Sequence, residues 1–225
     1  MNRKAMKMAV MGLICAAEIS AAAPATVNAM DWGGVVGTVL GGAMAYKEVD
    51  AYVHYVNDTE EGRQAYYEEM KDSMGVNYDE YHNAMLDTLM SNLTEGVAAH
   101  DATIQDKPFL YFLNNDKSFN ASCGLGHVMT VNTGLFRISD NIDEVAFVIG
   151  HEMGHGMKNH SLKGTQKKMR TIIGASVAAE AMGGGAAANI AMSALVGQIN
   201  NIQITKKQEW EADNLAFDYC YSAGY

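Results

Sequence analysis

The sequence predicts an α+β fold that is mainly α-helical, with a small sheet ahead of one central helix. Three observations support this prediction. Apolar and aromatic residues recur at helical spacing over 60–74 and 78–100. Short apolar runs at 108–113 and 127–133 have the length and the flanking turn residues of strands. The motif HEMGH at 151–155 places two histidines four residues apart, which brings them onto one face of a helix.

The first 29 residues have the composition of a secretory signal peptide. Three basic residues precede an apolar run at 8–17, and Val27-Asn28-Ala29 resembles a signal-peptidase site. The run of about ten apolar residues is shorter than the roughly 20 that span a bilayer, so we expect cleavage after Ala29 and a periplasmic or extracellular protein. Cleavage removes three basic residues and one acidic residue and changes the net charge from −10 to −12, which argues against a nucleic-acid partner.

Residues 30–225 have the length of a single domain. We divide it into a helical part, 30–105, and a zinc-binding catalytic part, 106–225. In the helical part, glycines recur every four residues from 33 to 41, which favours a packed or surface-associated lead segment. The two amphipathic helices that follow it are predicted to form a helical cap on the domain.

Two strands are predicted next. The first, at 108–113, is aromatic and lies between Asp106 and Asn114. The second, at 127–133, alternates only weakly, but glycines punctuate it on both sides. Together they predict the small sheet ahead of the motif helix.

The helix that carries HEMGH has a clear start signal. Asn141 can cap it, and Glu144 stands three residues later, as in a capping box. Lys158, Lys163 and Gly164 suit its other end.

The following segment, 171–199, is apolar and rich in alanine, with Glu180 and three successive glycines near its middle. A broken pair of packed helices is the preferred interpretation. A hairpin that dips into a membrane is the alternative, although placing the charged Glu180 in a bilayer would cost free energy. Peripheral membrane association therefore stays open.

A last helix is predicted from Thr205, because Thr205 and Gln208 have the spacing of a capping box. It carries the sequence EWEAD at 209–213. Glu209 and Asp213 are four residues apart and share one face, whereas Glu211 faces another side.

Two imidazoles on one helix face can bind one zinc ion, but a catalytic zinc site needs a third protein ligand. A histidine at 161 would supply it in the metzincin spacing, and the chain has Ser161 there. His160 is one residue out of that register, so we expect it to point elsewhere. Glu209 is the remaining candidate, with Asp213 accepting the ring N–H of a ligand histidine.

Two cysteines, Cys123 and Cys220, remain after the predicted cleavage. In an oxidising compartment they could form a disulfide. Two buried thiols are the equally open alternative.

An ordered set of segments resembles the gluzincin metallopeptidases, the family of the CAAX prenyl protease, the heat-shock protease HtpX and periplasmic relatives. The set covers roughly the second half of the chain, and the resemblance implies a zincin-like metallopeptidase fold. The segments are Phe119-Asn120-Ala121, Gly126-His127-Val128, Thr133-Gly134-Leu135, HEMGH with the trailing His160, and EWEAD.

The resemblance also implies roles for single residues. His151, His155 and Glu209 would be the zinc ligands, Glu152 the catalytic base and Asp213 the residue that orients a ligand histidine. The strand at 127–133 resembles the family's edge strand, which holds an extended peptide by main-chain hydrogen bonds. The substrate-binding residues that this implies are His127, Val128, Met129, Thr130 and Val131.

These residues predict an exported zinc-dependent metalloendopeptidase that cleaves envelope or secreted proteins, with protein quality control as its setting. Zinc would polarise the scissile carbonyl and Glu152 would move the proton. The alternative is a zinc-containing periplasmic chaperone or assembly factor with a latent protease site. It is open because family members usually continue beyond the EWEAD helix, and no oxyanion-stabilising residue can be named before Tyr225.

Overall fold

The computed structural model describes residues 43–181 and 204–225. The predicted signal peptide, the glycine-spaced lead segment before residue 43 and most of the segment 171–199 lie outside these residues. The predicted fold class is confirmed, since the described chain is mostly helical with one small sheet. The prediction of a single domain from residue 30 stays a prediction.

Three helices come first: α1 (Ala43–Asp58), α2 (Glu60–Met74) and α3 (Glu80–Ala98). Thr59 caps α2 by accepting a hydrogen bond from the Gly62 N–H, so α2 has the predicted bounds. Asp79 caps α3 in the same way through the His82 N–H, which starts this helix two residues later than predicted.

The described strands form one three-stranded sheet of β1 (Leu110–Asn114), β2 (Ala121–Cys123) and β3 (Val128–Asn132). Their order is β1-β3-β2, with β1 parallel and β2 antiparallel to β3. The prediction that 127–133 is an edge strand is therefore wrong. Both sides of β3 are paired, and the outer strand on one side is β2, whose three residues are too few to show a period in the sequence.

Four further helices complete the described chain: α4 (Thr133–Ile138), α5 (Ile142–Met157), α6 (His160–Ala181) and α7 (Lys206–Ala223). Single 3₁₀ turns occur at Ala102–Gln105 and Leu125–His127. None of the described helices combines the length and apolar composition that crossing a bilayer requires.

The helix ends differ in part from the sequence predictions. The capping box at Thr205 and Gln208 forms as predicted. Asn141 also caps α5, but the Glu144 carboxylate accepts from the Ser139 hydroxyl, so the predicted capping box at Asn141 is wrong. The helix then stops at Met157, and Gly164 lies inside α6.

The described residues divide into two compact units. One consists of residues 43–55 and 161–181; within it the Gln166 amide lies 3.2 Å from the His54 ring nitrogen. The other consists of Val56–His160 and Ile204–Tyr225 and contains the sheet, α5 and α7. Its core is made of apolar side chains from α3, the sheet, α5 and α7, among them Leu86, Leu93, Leu113, Met129, Ile149, Met153 and Tyr219.

A buried arginine ties α2 to the sheet. The Arg63 guanidinium donates to the main-chain oxygens of Gly126 and Pro108, which precede β3 and β1, and it pairs with Glu60 at 2.8 Å. Burial lowers the pKa of Arg63, while the Glu60 carboxylate opposes that shift. These bonds satisfy a cation that would otherwise be costly to bury.

Helix α3 packs on α7 at Gly96. A Cβ atom at this position would lie 2.3 Å from the Tyr219 carbonyl oxygen, which is main chain and cannot turn away. Glycine is therefore required for the close approach of the two helices, and α3 packs directly against α7.

We expect Gly96→Ala to lower the free energy of unfolding by about 1–3 kcal/mol, because the methyl group forces α3 and α7 apart. Chemical denaturation followed by circular dichroism measures this. Ser91→Ala, at an exposed position of the same helix, is the control and should change stability by less than about 0.5 kcal/mol. Equal stability of the two variants would contradict the packing argument.

Candidate metal centre

Two histidines of α5 face the same point. His151 and His155 are separated by one helical turn, and their Nε2 atoms are 2.9 Å apart. Their rings meet edge to face, with centroids 4.6 Å apart. The predicted placement on one helix face is therefore what the structure shows.

A seam of small residues brings α7 against this part of α5. A Cβ atom on Gly154 would lie 3.2 Å from the main chain of Ala212, and one on Gly150 would lie 3.6 Å from that of Ala216. Gly150 and Gly154 are one turn apart, as are Ala212 and Ala216. Because both helices lack bulk along this line, short acidic side chains of α7 reach the histidines.

Glu209 is the acidic residue that meets both histidines. Its Oε2 lies 3.3 Å from the His151 Nε2 and 3.8 Å from the His155 Nε2. One ligand atom from each of the three residues lies within 4.8 Å of the others. The structure thus brings together the three predicted zinc ligands.

Asp213, one turn after Glu209, holds His151 from its other side. Its Oδ1 lies 2.8 Å from the His151 Nδ1. A carboxylate only accepts hydrogen bonds, so a ring hydrogen of His151 belongs on Nδ1, and its Nε2 is the atom that faces His155 and Glu209. This is the contact that the spacing of Glu209 and Asp213 predicts.

His155 is held by His160, and this contact is absent from the sequence prediction. The two Nδ1 atoms are 2.8 Å apart, and the Nε2 of His160 lies 3.3 Å from the Glu211 carboxylate. As predicted, His160 is not one of the three residues that converge, but its contact with His155 does not follow from the spacing of a continuous helix. The chain instead turns at Asn159, whose φ is 52°. A polar, turn-prone Lys158-Asn159 step before His160 is the sequence signal that could have shown this.

Glu152 follows the first histidine and lies against β2. Its Oε2 accepts a hydrogen bond of 3.1 Å from the Cys123 N–H. In an antiparallel pair, successive residues turn their main-chain groups alternately toward and away from the partner strand. Cys123 turns its N–H away from β3, and this N–H holds the carboxylate of the residue that follows His151 in α5.

The predicted substrate-binding strand has a structural role. Val128, Met129, Thr130 and Val131 are buried in the central strand. His127 is also buried, stacks on Phe109 with centroids 4.6 Å apart and lies 2.8 Å from the Lys107 carbonyl. Burial and the nearby Lys107 charge lower the pKa of His127 to about 4, so it is a neutral core residue at neutral pH.

The donor set fits a zinc ion. Burial, with the adjacent His151 and His160, lowers the pKa of His155 to about 3, so this ring is neutral at neutral pH. Both Nδ1 atoms already have partners, and the two Nε2 atoms face each other at 2.9 Å with the Glu209 carboxylate close to both. Two imidazoles and one carboxylate are the ligands of many catalytic zinc sites, and here one ligand atom of each lies within 4.8 Å of the others.

The two cysteines are buried and are not joined by a disulfide. A Cβ atom on Gly156 would lie 2.9 Å from the Cys123 sulfur, and one on Gly150 would lie 3.2 Å from the Cys220 sulfur. Each thiol thus packs against α5 at a different place. Of the two alternatives that the sequence leaves open, the structure has the buried thiols.

Comparison with known proteins gives one family. The model of peptidase family M48 matches residues 82–225. The beta-barrel assembly-enhancing protease of Escherichia coli (strain K12) is 25% identical over 235 residues, which cover 100% of this chain and 45% of that protein. Metalloprotease LoiP of the same organism is 34% identical over 125 residues, 54% of this chain and 48% of that protein. The chain therefore spans less than half the length of these curated relatives.

We expect Gly154→Ala to weaken zinc binding about tenfold, because its methyl group meets the Ala212 main chain and moves Glu209 away from the histidines. Competition with a chromophoric chelator measures the affinity. Gly150→Ala is the matched control, since its nearest neighbour is the Cys220 sulfur, a side-chain atom that can turn aside. Zinc binding that is equal in both variants would show that the seam does not set the ligand positions.

Proposed function

Because the chain belongs to peptidase family M48, we propose that it is a zinc-dependent metalloendopeptidase that hydrolyses peptide bonds of cell-envelope proteins. The observation that carries this proposal is the convergence of His151, His155 and Glu209 with Glu152 beside them. Neither α5 nor α7 carries all four residues, which come together where the two helices pack.

In this function His151, His155 and Glu209 would hold the metal through the two Nε2 atoms and the Glu209 carboxylate. Three protein ligands are the usual number in catalytic zinc sites. Zinc bound there would supply Lewis acidity, which polarises a peptide carbonyl and lowers the pKa of water toward neutrality.

Glu152 is the proposed general base. Its carboxylate takes a proton from the attacking water and returns it to the nitrogen of the leaving amine. The hydrogen bond from the Cys123 N–H holds one carboxylate oxygen in place, so the group needs no reorientation before it acts. This contact supports the role of Glu152, because it orients the carboxylate without neutralising it.

The substrate is proposed to lie on the β2 side of the sheet. β2 is an outer strand of the described sheet, and its Cys123 contacts the base. Ala121 and Cys123 are themselves buried, and Ser122 is the part of β2 that reaches the surface. The placement therefore depends on the contact with Glu152, and we assign no single β2 residue to peptide recognition.

The envelope setting has two supports. The sequence predicts export, and one relative is named a beta-barrel assembly-enhancing protease. The words assembly-enhancing in that name also fit the second candidate function, an exported assembly factor or chaperone whose zinc site is latent, whereas the word protease fits only the first. Both candidate functions involve a bound zinc ion. They differ in whether the site, with Glu152 as its base, hydrolyses a substrate.

We expect Glu152→Gln to keep zinc and to lower the rate of cleavage of an unfolded protein such as casein by about 10²–10⁴-fold, since the amide cannot accept the proton. Metal content and gel-based proteolysis measure the two effects. Glu95→Gln, an exposed position on α3, is the control and should cleave like the wild type. If the wild type binds zinc but its cleavage activity is no higher than that of Glu152→Gln, the assembly-factor function replaces the protease.

We expect Glu209→Ala to weaken zinc binding by more than the roughly 10–100-fold typical of removing a hydrogen-bond partner of a ligand, because it removes a ligand itself. Chelator competition gives the dissociation constant. Asp218→Ala, an exposed acid on the same helix, should bind zinc as the wild type does. Zinc affinity that survives Glu209→Ala would refute Glu209 as the third ligand.

A further inference from the structure

The two histidines of the metal centre are held by different partners. His151 contacts a carboxylate directly, since Asp213 lies 2.8 Å from its Nδ1. The Nδ1 of His155 contacts a second histidine, His160, and His160 in turn reaches the Glu211 carboxylate. The sequence predicts the first of these contacts and not the second.

The chain reaches this arrangement by a sharp turn between two helices. Helix α5 ends at Met157, and the Lys158 N–H still donates to the Gly154 carbonyl. Asn159 then adopts a left-handed conformation with φ of 52°, which asparagine tolerates better than most residues. His160 therefore begins α6 beside His155, with only 1% of its side chain exposed.

The hydrogen positions along this series of contacts, from His155 through His160 to Glu211, follow from the carboxylate at its end. Glu211 only accepts, so the Nε2 of His160 carries the hydrogen that faces it. The Nδ1 of a neutral His160 then has a lone pair and accepts from the His155 Nδ1–H. His155 consequently has no hydrogen on Nε2, the atom that faces His151 and Glu209.

The opposite arrangement fails at Glu211 and leaves His155 unable to bind a metal. If the Nδ1 of His160 donated to His155, its Nε2 lone pair would face the Glu211 carboxylate, and two acceptors would repel each other. The Nε2 of His155 would then carry a hydrogen that points into the metal centre. A ring in that tautomer offers zinc no lone pair.

We propose that Glu211, acting through His160, selects the His155 tautomer that binds metal. Both are positioning residues, because they lie outside the group of three that could hold a metal and reach it only through the His155 ring. The proposal rests on the proposed function for the identity of the metal. The tautomer itself is a property of the metal-free protein and can be measured without zinc.

The first test is the tautomer. Nitrogen chemical shifts of the histidine rings, from long-range ¹H–¹⁵N spectra of the metal-free protein, distinguish Nδ1–H from Nε2–H. We expect His155 to be Nδ1–H in the wild type and to become a mixture in Glu211→Ala. Glu211 is 43% exposed, so its loss leaves the fold intact. His155 as Nε2–H in the wild type, or unchanged in Glu211→Ala, overturns the proposal.

The second test is zinc affinity by chelator competition. We expect His160→Ala to weaken binding about 10–100-fold and Glu211→Ala about tenfold. His160→Gln should recover most of the loss, because its amide oxygen can accept from His155 while its NH₂ group donates to Glu211. His100→Ala, an exposed histidine that contacts Ser222, is the control.

The outcomes separate this inference from the proposed function. A wild type that binds no zinc contradicts the proposed function, and the nitrogen shifts still decide the tautomer. A wild type that binds zinc while Glu211→Ala binds it equally well overturns the inference alone. Equal losses in His160→Ala and His160→Gln, or lower affinity without a change of tautomer, also overturn it.

Discussion

The close contact between α5 and α7 is the constraint on which the site depends. Gly150 and Gly154 on one helix meet Ala212 and Ala216 on the other, and a Cβ atom on Gly154 would already crowd the Ala212 main chain. At a wider spacing a glutamate side chain would not lie within 4 Å of both histidines, as Glu209 does. Small residues are therefore needed at this contact for two reasons: they let the two helices pack in the core, and they bring the proposed ligand Glu209 to the histidines.

Electrostatics and burial act together at this contact. The two imidazoles are the less exposed part of the site, whereas Glu209 and Asp213 keep 44% and 55% of their side chains exposed. Burying a neutral ring costs far less than burying an unpaired carboxylate, so the carboxylates stay hydrated while the rings are enclosed. Each ring is then backed by a hydrogen-bond route that ends on a carboxylate, Asp213 for His151 and Glu211 for His155.

Local rules explain which parts of this arrangement the sequence predicts. Helical periodicity places His151 with His155 and Glu209 with Asp213, and local capping fixes the start of α2 and α7. Features that depend on distant partners are not predictable in this way. The place of β3 in the sheet depends on pairing with β1 and with the three-residue β2. The contact of His160 with His155 is not predicted, because spacing arguments assume an unbroken helix and the helix is broken at Asn159.

The order of the sheet decides where a substrate can meet the base. Neighbouring strands lie about 4.8 Å apart, so a peptide paired to β3 would have to occupy the position that β2 holds. β2 is also the strand whose Cys123 N–H donates to Glu152. The Cys123 N–H points to the outer side of β2, where Glu152 lies. A substrate on that side of the strand would therefore lie on the same side as Glu152. The proposed substrate strand is therefore β2 rather than β3, and one hydrogen bond from β2 fixes this strand and the proposed base relative to each other.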